Sequence, residues 1–546
     1  MRRIAPIAAL LLAGAAVAQT GTPVISVETL KTVTQTLSSD AYEGRAPTTP
    51  GEDKTVAYLI ERFKAAGLQP GNKGSWTQDV PMVEITAGDV APLTFTGGKT
   101  PVTMAYRTDM VAGTYRTVPS ISIANSAVVF VGYGITAPEK GWDDYAGVDV
   151  RGKTVVILIN DADWQTKASG TRAGPFEGRA MTWYGRWPYK FENAAKHGAA
   201  AAIIVHETEP AAYGWPVVQS SWTGPQLQLD ETSGPTSQVV GWMQQGKARE
   251  LFASAGKDFA RLSAAAKVKG FRAVPLGVAM SAGFTNTIRR QASKNVIGVL
   301  PGTTARNDHV LYSAHWDHLG RCDAVAGDDI CNGALDNATG TAGLVALAEA
   351  HARAGPARRS LVFLAVTAEE SGLLGSKYYA EHPVFPLGRT VGGVNMDGLN
   401  VDGRARDFVL TGAGKSQLED LVRPIVASQG RRISPEPTPE RGFYYRSDHF
   451  SFAKLGVPML YGESGQDLVA GGAAAGKAAA EDYVANRYHK PSDHYDPSWN
   501  WAGAVEDLRI FYALGRKLAD EPGSWPNWYP SAEFRGVRDK SRAGTR

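Results

Sequence analysis

Excess charge of one sign and long apolar runs are both scarce in this sequence of 546 residues. The 57 lysine and arginine residues nearly balance the 54 aspartate and glutamate residues, and the formal charge is +3. This balance gives no reason to expect a nucleic acid as a partner. Glycine and proline follow no fixed repeat, which excludes collagen-like and solenoid folds. Hydrophobic residues make up 43% of the chain and charged residues 20%, so intrinsic disorder is excluded as the main state.

Cysteine is also rare, with only Cys322 and Cys331 in the chain. The two lie close together in a polar stretch. In an oxidising compartment we expect them to form a disulfide, and two free thiols are the alternative. A zinc site made by this pair alone is not expected, because a structural zinc ion takes four ligands.

The N-terminus is typical of a cleaved export signal. Two arginines precede a short apolar run from Ile4 to Ala18, which ends in the small-residue triplet Ala16-Val17-Ala18. The order of basic, apolar and small residues predicts a signal over residues 1–18. A membrane anchor is the alternative, but the run is too short to cross about 30 Å of hydrocarbon. We therefore expect a periplasmic or extracellular protein with no stable membrane anchor after signal cleavage.

The rest of the chain divides into three regions with different sequence patterns. Residues 26–67 carry apolar side chains at helical spacing. Residues 91–283 contain short β-rich runs and many tryptophans. After Ser293, strands alternate regularly with helices, which predicts a mainly parallel α/β sheet sandwiched by helices, with an inserted β-rich domain.

Carboxylates and imidazoles stand where the predicted strands end, although packing alone would favour apolar residues there. Functional side chains of such sheets gather at the carboxyl ends of the strands. These types of side chain suit a pair of Zn²⁺ ions, with one carboxylate bridging the two. Co²⁺ or Mn²⁺ are alternatives in a site rich in carboxylates. The predicted set comprises His315, Asp317, Asp336, Glu369, Glu370, Asp397 and His489.

Two of these residues have roles that follow from their position beside a ligand. Glu369 precedes Glu370, and a non-ligating glutamate there can move a proton from water to a leaving amine. Asp317 follows His315 by two residues, and its carboxylate can hold the other imidazole N–H and fix the tautomer.

Taken together and in order, the motifs resemble those of the M28 family of zinc metallopeptidases. The likeness also covers residues 37–45 and 293–298, so it extends over most of the chain outside the middle block. The motifs that carry it are Ser313-Ala-His-Trp-Asp-His-Leu-Gly320, Gly333-Ala-Leu-Asp-Asn-Ala-Thr-Gly340, Ala368-Glu-Glu-Ser-Gly-Leu-Leu-Gly375, Asn395-Met-Asp397 and Tyr488-His-Lys-Pro-Ser-Asp493.

The resemblance implies a metal-ligand set of His315, Asp336, Glu370, Asp397 and His489. Asp336 would bridge two zinc ions per chain. The reaction implied is the removal of N-terminal residues from peptide substrates. No oligomeric state is predicted.

The same resemblance implies that Glu369 is the general base and acid. Tyr488 would support the oxyanion through its hydroxyl, and simple packing of its ring is the alternative. His318 is a weaker competitor of His315 for a metal. The sequence around Tyr445, Asp448 and His449 resembles a family loop near the substrate pocket.

The middle block resembles a protease-associated (PA) domain, a domain that is inserted in many M28 enzymes. The likeness rests on Val131-Gly-Tyr-Gly134 and on two further stretches, residues 145–153 and 193–198. The predicted organisation is a signal, an N-terminal part of the peptidase domain, a PA-like insertion, a catalytic domain and a polar tail, over residues 1–18, 19–120, 121–284, 285–525 and 526–546.

Four other functions compete with the aminopeptidase. A carboxypeptidase acting on small or acidic peptides and a glutaminyl cyclase use related folds, and M20-type peptidases share the order of ligands. The complete ligand set favours two metals and hydrolysis over the single-zinc cyclase. The Gly-Ala-Leu-Asp-Asn sequence at residues 333–337 favours M28 over M20. A non-catalytic binding protein on the same scaffold would be expected to have lost ligands, and none is missing here.

Overall fold

The computed structural model describes residues 24–165, 174–231 and 234–544. The predicted export signal lies outside the described residues. Among the residues that are described, no helix is long and apolar enough to cross a membrane.

Two helices open the described chain, α1 (Val27–Leu37) and α2 (Pro50–Ala65). The side chain of Ser26 caps α1 by accepting a hydrogen bond from the N–H of Thr29 at 3.0 Å, which satisfies a donor that the helix itself leaves free. A helical turn at Asp40–Arg45 joins the two helices. This arrangement confirms the helices predicted between residues 26 and 67.

A block of short strands and helices follows. Its strands before the first internal helix are β1 (Gln69–Pro70), β2 (Thr77–Gly88), β3 (Leu93–Thr96), β4 (Val102–Met104), β5 (Met110–Gly113), β6 (Ser120–Phe130), β7 (Thr136–Ala137), β8 (Trp142–Asp143) and β9 (Thr154–Leu158). The rest of the block consists of α3 (Trp187–Lys196), β10 (Ala201–His206), α4 (Thr208–Ala211), α5 (Trp215–Ser221), β11 (Pro225–Leu229), β12 (Val239–Gln244), α6 (Gln245–Ser254) and α7 (Phe259–Ala265).

The packing of this block begins before the predicted boundary at residue 120. Phe95 and Met110 lie in the same hydrophobic cluster as Phe130 and Val156. Strand β5 also pairs with β12. The boundary expected between residues 120 and 121 therefore passes through one packed core.

One long strand, β13 (Val274–Leu300), connects the block to the rest of the molecule. Its earlier part pairs with β6 and β2. Its last residues, Val296–Leu300, pair with the central sheet. The predicted boundary between residues 284 and 285 thus lies inside a continuous strand.

The remaining elements alternate between strand and helix. They are β14 (Ala305–His315), β15 (Gly320–Val325), β16 (Asp328–Cys331), α8 (Gly340–Arg353), β17 (Arg359–Val366), α9 (Leu374–Glu381), β18 (Thr390–Met396), β19 (Asp407–Leu410), α10 (Leu418–Ser428), β20 (Arg432–Ser434), α11 (His449–Lys454), β21 (Met459–Ser464), α12 (Gly472–Asn486), α13 (Ala502–Asp520) and α14 (Arg535–Ala543).

The central sheet is mainly parallel. Strand β14 runs parallel to β17 and β18, and β18 runs parallel to β21. Strands β13 and β19 pair antiparallel with β17 and β21. Helices α8 and α13 pack on one face, and α9 and α11 contribute to a second cluster on the other. The predicted α/β class is confirmed, because all eight residues of β17 are buried as in a sheet covered on both faces.

The C-terminal residues are ordered, contrary to the loose polar tail expected from their charge. Trp528 and Phe534 are buried in a cluster with Phe450. In α14, the fully buried Arg538 donates hydrogen bonds to the carbonyl oxygens of Thr390, at 2.8 Å, and Val391, at 3.1 Å. The expectation was wrong because a basic residue here satisfies buried carbonyl groups instead of facing water.

Candidate active site

The parallel strands of the central sheet bring the predicted polar side chains to one edge. His315 is the last residue of β14, Glu369 and Glu370 follow β17, and Asp397 follows β18. Because the carboxyl ends of neighbouring parallel strands meet at the same edge, these side chains converge.

Two sets of donor atoms share the carboxylate of Asp336. In the first set, His315 Nε2 lies 3.1 Å from an oxygen of Asp397 and 3.4 Å from Asp336 Oδ1. In the second, His489 Nε2 lies 3.3 Å from Asp336 Oδ2 and 3.1 Å from an oxygen of Glu370. The two oxygens of Asp336 therefore face different histidines, as a bridging carboxylate requires.

His318 enters the second set, although the sequence favoured it only weakly. Its Nδ1 lies 2.7 Å from Glu370 Oε1, and its side chain is fully buried. Donor atoms of His318, Asp336 and Glu370 all lie within 4.8 Å of one another, as do those of His315, Asp336 and Asp397. The structure thus brings together every predicted ligand and adds one imidazole to them.

Asp317 links the first imidazole to the pair of glutamates. Its carbonyl oxygen lies 3.2 Å from His315 Nδ1, and a hydrogen bond there requires the proton on Nδ1 and leaves Nε2 free as a ligand atom. Its carboxylate accepts hydrogen bonds from the N–H groups of Glu369 and Glu370, at 3.1 and 3.4 Å. Burial raises the pKa of Asp317 to about 7.

Arg45 holds the loops that carry two of the ligands. Its fully buried guanidinium donates hydrogen bonds to four carbonyl oxygens, at 2.6 to 2.8 Å. One acceptor belongs to Trp316, beside His315, and another belongs to Gly333, at the start of the Asp336 loop. Burial lowers the pKa of Arg45 to about 10, against the opposing effect of nearby carboxylates. The sequence indicated Arg45 only as part of a family motif and assigned it no role.

Asp493 and Asn337 fix the backbone on either side of Asp336. The buried carboxylate of Asp493 accepts hydrogen bonds from the N–H groups of Leu335, at 3.1 Å, and Asp336, at 3.2 Å. The side chain of Asn337 accepts from the N–H of Gly398 at 2.8 Å, which connects the Asp336 loop to that of Asp397. Neither residue could be assigned a role from the sequence, because both act on backbone groups.

The site concentrates negative charge. Burial raises the pKa of Glu369 well above its usual value, and the carboxylates of Asp397 and Glu370 add to this effect. Burial alone would lower the pKa of His315, but Glu369 and Asp397 together raise it well above its usual value. Burial would raise the pKa of Glu370, but His489 and other neighbours bring it to about 2.

The chemistry of these donors fits zinc. Imidazole nitrogens and carboxylate oxygens are ordinary zinc ligands, and each donor set contains both. Asp336, Glu369, Glu370 and Asp397 lie together and are buried or half-buried, so carboxylates without compensating charge are costly there. Bound divalent cations would supply the compensating charge.

Tyr488 packs directly on a predicted ligand. Its ring stacks on that of His489, with ring centroids 3.8 Å apart, and it lines the cleft described below. The predicted support of an oxyanion by its hydroxyl stays a prediction.

The three predicted pocket residues behave differently from one another. Tyr445 lines the cleft, but its hydroxyl donates to Glu533 at 3.3 Å. Asp448 and His449 are fully buried and are not among the residues that line the cleft, so their role near the substrate pocket stays a prediction. The ring of His449 lies between those of Tyr444 and Tyr461, and burial lowers its pKa to about 3.

A cleft of about 2120 Å³ opens above these residues. The catalytic part supplies Glu369, Asp397 and Tyr488 to its lining, and the β-rich block supplies Trp183 and Arg186. This volume exceeds the roughly 300–1,000 Å³ of a usual small-molecule site, so an extended substrate fits.

Side chains of the block contact the catalytic part beside the cleft. Lys454 of α11 pairs with Glu192 of α3 at 3.1 Å, and its ammonium lies 4.7 Å from the ring centroid of Trp183. The ring of Trp183 also packs on Phe450, with centroids 4.7 Å apart. The block therefore forms one wall of the cleft.

The two cysteines lie in the hairpin of β15 and β16, between His315 and Asp336 in the sequence. The structure joins Cys322 and Cys331 in a disulfide, with Cα atoms 6.0 Å apart. The hairpin leads directly into the Asp336 loop, so the bond restrains the segment between two predicted ligands.

Comparison with known proteins shows what this part of the chain is similar to. Residues 295–513 match the family model described as Peptidase family M28. Leucine aminopeptidase 2 of Arthroderma otae is 27% identical over 370 residues, which are 65% of this chain and 64% of that protein. Aminopeptidase YwaD of Bacillus subtilis is 32% identical over 100 residues, 18% of this chain and 19% of that one. The chain thus spans less than two thirds of the length of these curated relatives.

Among solved structures, the aminopeptidase from Aneurinibacillus sp. strain AM-1 is similar at 20% identity. The match has a TM-score of 0.47 and covers 92% of this chain and 95% of that one.

Proposed function

Because residues 295–513 match the model of peptidase family M28, we propose that the chain is a member of this family that removes N-terminal residues from peptides with the help of two zinc ions. The observation that carries the proposal is the position of Asp336, whose two oxygens face His315 and His489. A single carboxylate shared by two donor sets suits a pair of metal ions. The names of the relatives, leucine aminopeptidase and aminopeptidase, agree with this reaction.

His315 and Asp397, with Asp336 between the sets, would hold one zinc ion, and Glu370 and His489 would hold the other. When bound, two zinc ions polarise the carbonyl of the scissile bond and lower the pKa of a water molecule. His318, which lies against Glu370, would orient that carboxylate or serve as a further ligand.

Glu369 moves the proton. It precedes the ligand Glu370, lines the cleft and has its backbone fixed by Asp317. One of its carboxylate oxygens takes a proton from water as the water oxygen bonds to the carbonyl carbon. The same proton passes to the leaving nitrogen as the peptide bond breaks, so Glu369 returns to its starting carboxylate. Tyr488, on the cleft wall, would donate a hydrogen bond from its hydroxyl to the carbonyl oxygen as negative charge develops there.

Two properties of the protein remain predictions from the sequence. One is export through the signal at residues 1–18. The other is the assignment of the β-rich block as a PA-like domain, which the cleft geometry supports by making the block one wall of the site.

The test is a mass-spectrometric time course on a mixture of short peptides, some blocked at the N-terminus and some amidated at the C-terminus. We expect the zinc-loaded protein to shorten only peptides with a free N-terminus, one residue at a time from that end. Glu369→Gln should lower the rate by about 100-fold or more, since it removes the proton acceptor. Glu61→Gln, an exposed residue of α2, is the matched control and should leave the rate unchanged.

Other outcomes would contradict the proposal in distinct ways. Loss of residues from the C-terminus would identify a carboxypeptidase. Loss of ammonia from peptides beginning with glutamine would identify a cyclase. Full activity of Glu369→Gln would show that this residue does not transfer the proton.

A further inference from the structure

Strand β11 of the β-rich block is an edge strand that borders the cleft. It pairs antiparallel with β2 from Pro225 to Leu229, and all five of its residues line the cleft. Within the described residues no strand pairs with its other edge. Its neighbours in the sequence are already occupied, since β10 lies between β9 and β12, and β12 lies between β10 and β5. An edge strand presents a row of N–H and C=O groups that can pair with another chain.

The hydrogen bonds at the end of the strand show which backbone groups of β11 point away from β2. The N–H of Asp230 donates to the carbonyl oxygen of Pro81 at 3.1 Å, so these two residues form a hydrogen-bonded pair. Because such pairs alternate with non-hydrogen-bonded pairs along an antiparallel ladder, Gln228 and Gln226 also bond to β2. The N–H and C=O groups of Leu227 therefore point towards the unpaired edge.

The other side of β2 gives the same alternation independently. The N–H of Ile297 in β13 donates to the carbonyl oxygen of Trp76, just before β2, at 2.8 Å. In the register of β2 with β13, this bond places Met82 and Glu84 in hydrogen-bonded pairs with β13. The backbone groups of β2 between these residues are then the ones that bond to β11.

The outward backbone groups of β11 are available to a ligand. Among the described residues, no hydrogen bond reaches the N–H or C=O of Leu227 from the unpaired side. The carbonyl oxygen of Pro225, on the same edge, accepts one hydrogen bond from the side chain of Gln226 at 3.1 Å and keeps a second lone pair. Pro225 is exposed and Leu227 is half-buried, so a peptide in the cleft can reach both.

The C-terminal end of β11 lies beside the turn that carries Glu369. Leu229 shares a hydrophobic cluster with Ala368 and Leu374, which stand before and after that turn. From this end to Pro225 the strand extends about 13 Å, at roughly 3.3 Å per residue. One residue of an extended peptide spans at most about 3.6 Å, and an aminopeptidase substrate has a single residue before its scissile bond. A peptide that follows β11 away from Glu369 therefore does so with residues that come after the scissile bond.

We propose that the main chain of the peptide substrate pairs with the free edge of β11. The substrate begins at the predicted metal ligands, near the C-terminal end of β11, so it runs antiparallel to the strand. The N–H and C=O groups of Leu227 exchange hydrogen bonds with one substrate residue, as when a peptide adds a strand to the edge of a sheet. This pairing does not depend on the side chains of the substrate. The inference rests on the proposed function and specifies its substrate class as extended peptides of about five residues or more.

The first measurement is the dependence of kcat/KM on peptide length. The substrates are Leu-Ala-NH₂, Leu-(Ala)₃-NH₂ and Leu-(Ala)₅-NH₂, which share one scissile bond and carry no carboxylate. We expect kcat/KM of the wild-type protein to rise by about 10-fold from the shortest peptide to the longest, chiefly through KM, because each main-chain hydrogen bond adds to the affinity.

The second measurement locates the hydrogen bonds on the substrate. Leu-(Ala)₅-NH₂ is prepared with one N-methyl group at its third, fourth, fifth or sixth residue, which removes one N–H at a time. In an antiparallel pair only alternate residues donate to the neighbouring strand. We expect kcat/KM to fall by about 5-fold or more at every second position, and to stay within about twofold of the unmodified peptide at the positions between. The scan uses wild-type protein only, so it decides the inference whether or not a variant of β11 folds.

The third measurement removes the donor from the protein. Leu227→Pro deletes the outward N–H and spares the ladder with β2, since proline is tolerated where the N–H of an edge strand faces away from the sheet. Leu227→Ala is the matched comparison, because it loses the same packing and keeps the N–H. We expect the ratio of kcat/KM between the longest and the shortest peptide to be smaller in Leu227→Pro than in Leu227→Ala, by about 3-fold or more. Arg151→Gln, an exposed residue of the block paired with Asp149, should keep the wild-type ratio.

Three results would overturn this inference while leaving the aminopeptidase intact. They are an equal kcat/KM for all three peptide lengths, effects of N-methylation that do not alternate along the peptide, and equal length ratios in Leu227→Pro and Leu227→Ala. Failure of the wild-type protein to cleave any of these peptides would instead overturn the proposed function itself, and this inference with it.

Discussion

Arg45 donates its hydrogen bonds to backbone carbonyl groups, and it thereby fixes the segments on which two predicted metal ligands lie. Its guanidinium satisfies carbonyl oxygens of Leu37, Trp316, Asn332 and Gly333. No other side-chain type presents five donors in a planar fork. The active-site edge of the sheet is therefore tied to the N-terminal turn by one residue.

Arg45→Lys should lower the free energy of unfolding by about 2–4 kcal/mol, because one ammonium cannot satisfy four buried carbonyl groups. Urea denaturation measures the difference. Arg151→Lys, on the exposed surface of the block, is the control and should change stability by less than about 0.5 kcal/mol. Equal stability of the two variants would show that water replaces the guanidinium in the loop.

The residues of the candidate site were easier to predict from the sequence than the residues that hold their loops in place. His315, Asp336, Glu370 and Asp397 could be predicted because each polar side chain ends a strand or opens a helix. His318 was underestimated, because its position depends on a loop whose path is set by distant hydrogen bonds, including one from the N–H of His318 to the carbonyl of Arg45. Such contacts leave no local pattern in the sequence.

At the scale of elements, the C-terminal helix α14 is held by Arg538. This residue donates to carbonyl oxygens at Thr390 and Val391, where β18 begins. Strand β18 leads to Asp397 at its other end. A charged terminal helix is thus part of the packing around the central sheet.

Arg538→Ala should lower the free energy of unfolding by about 2–4 kcal/mol, since it leaves buried carbonyl groups unsatisfied and opens a cavity. Thermal or urea unfolding tests this expectation. Lys540→Ala, on the exposed face of the same helix, should have almost no effect. An unchanged free energy of unfolding in Arg538→Ala would mean that α14 contributes little to the stability of the fold.

Elements with a clear apolar period could be predicted, and others could not. Strands β14 and β17 and helix α8 belong to the alternation of strands and helices that was expected after Ser293. Helix α12 was not, because its residues are mostly alanine and glycine, with only Gly476 buried. The order of α14 was missed because buried arginines resemble surface residues in a sequence.

At the scale of the whole molecule, the β-rich block and the central sheet share strand β13 and enclose one cleft. Contacts cross the predicted boundaries because strand pairing joins residues far apart in the sequence, such as Met110 and Met243. The mainly parallel sheet was predictable from the alternation of strands and helices. The contacts between the block and the catalytic part were not, because they depend on how the two cores pack.

Removal of zinc should destabilise the whole molecule. The candidate site concentrates several carboxylates, and a ligand that binds only the folded state stabilises it by about 4 kcal/mol at a thousandfold excess over its Kd. A chelator such as EDTA should therefore lower the midpoint of thermal unfolding, and added Zn²⁺ should restore it. Mg²⁺ at the same concentration is the control and should not restore the midpoint, since imidazole ligands favour zinc. An unfolding midpoint that neither EDTA nor added Zn²⁺ changes would contradict a metal site in the folded chain.

The central claim is that Asp336 joins two zinc sites, and the most direct measurement is the number of zinc ions bound per chain. The metal-free protein would be titrated with Zn²⁺, and bound metal would be counted by elemental analysis after removal of free ions. The account predicts two ions per chain in the wild-type protein and in Glu369→Gln, which keeps all ligands. It predicts a loss of tight binding at both sites in Asp336→Asn. One ion per chain at saturation, or two ions retained by Asp336→Asn, would contradict it.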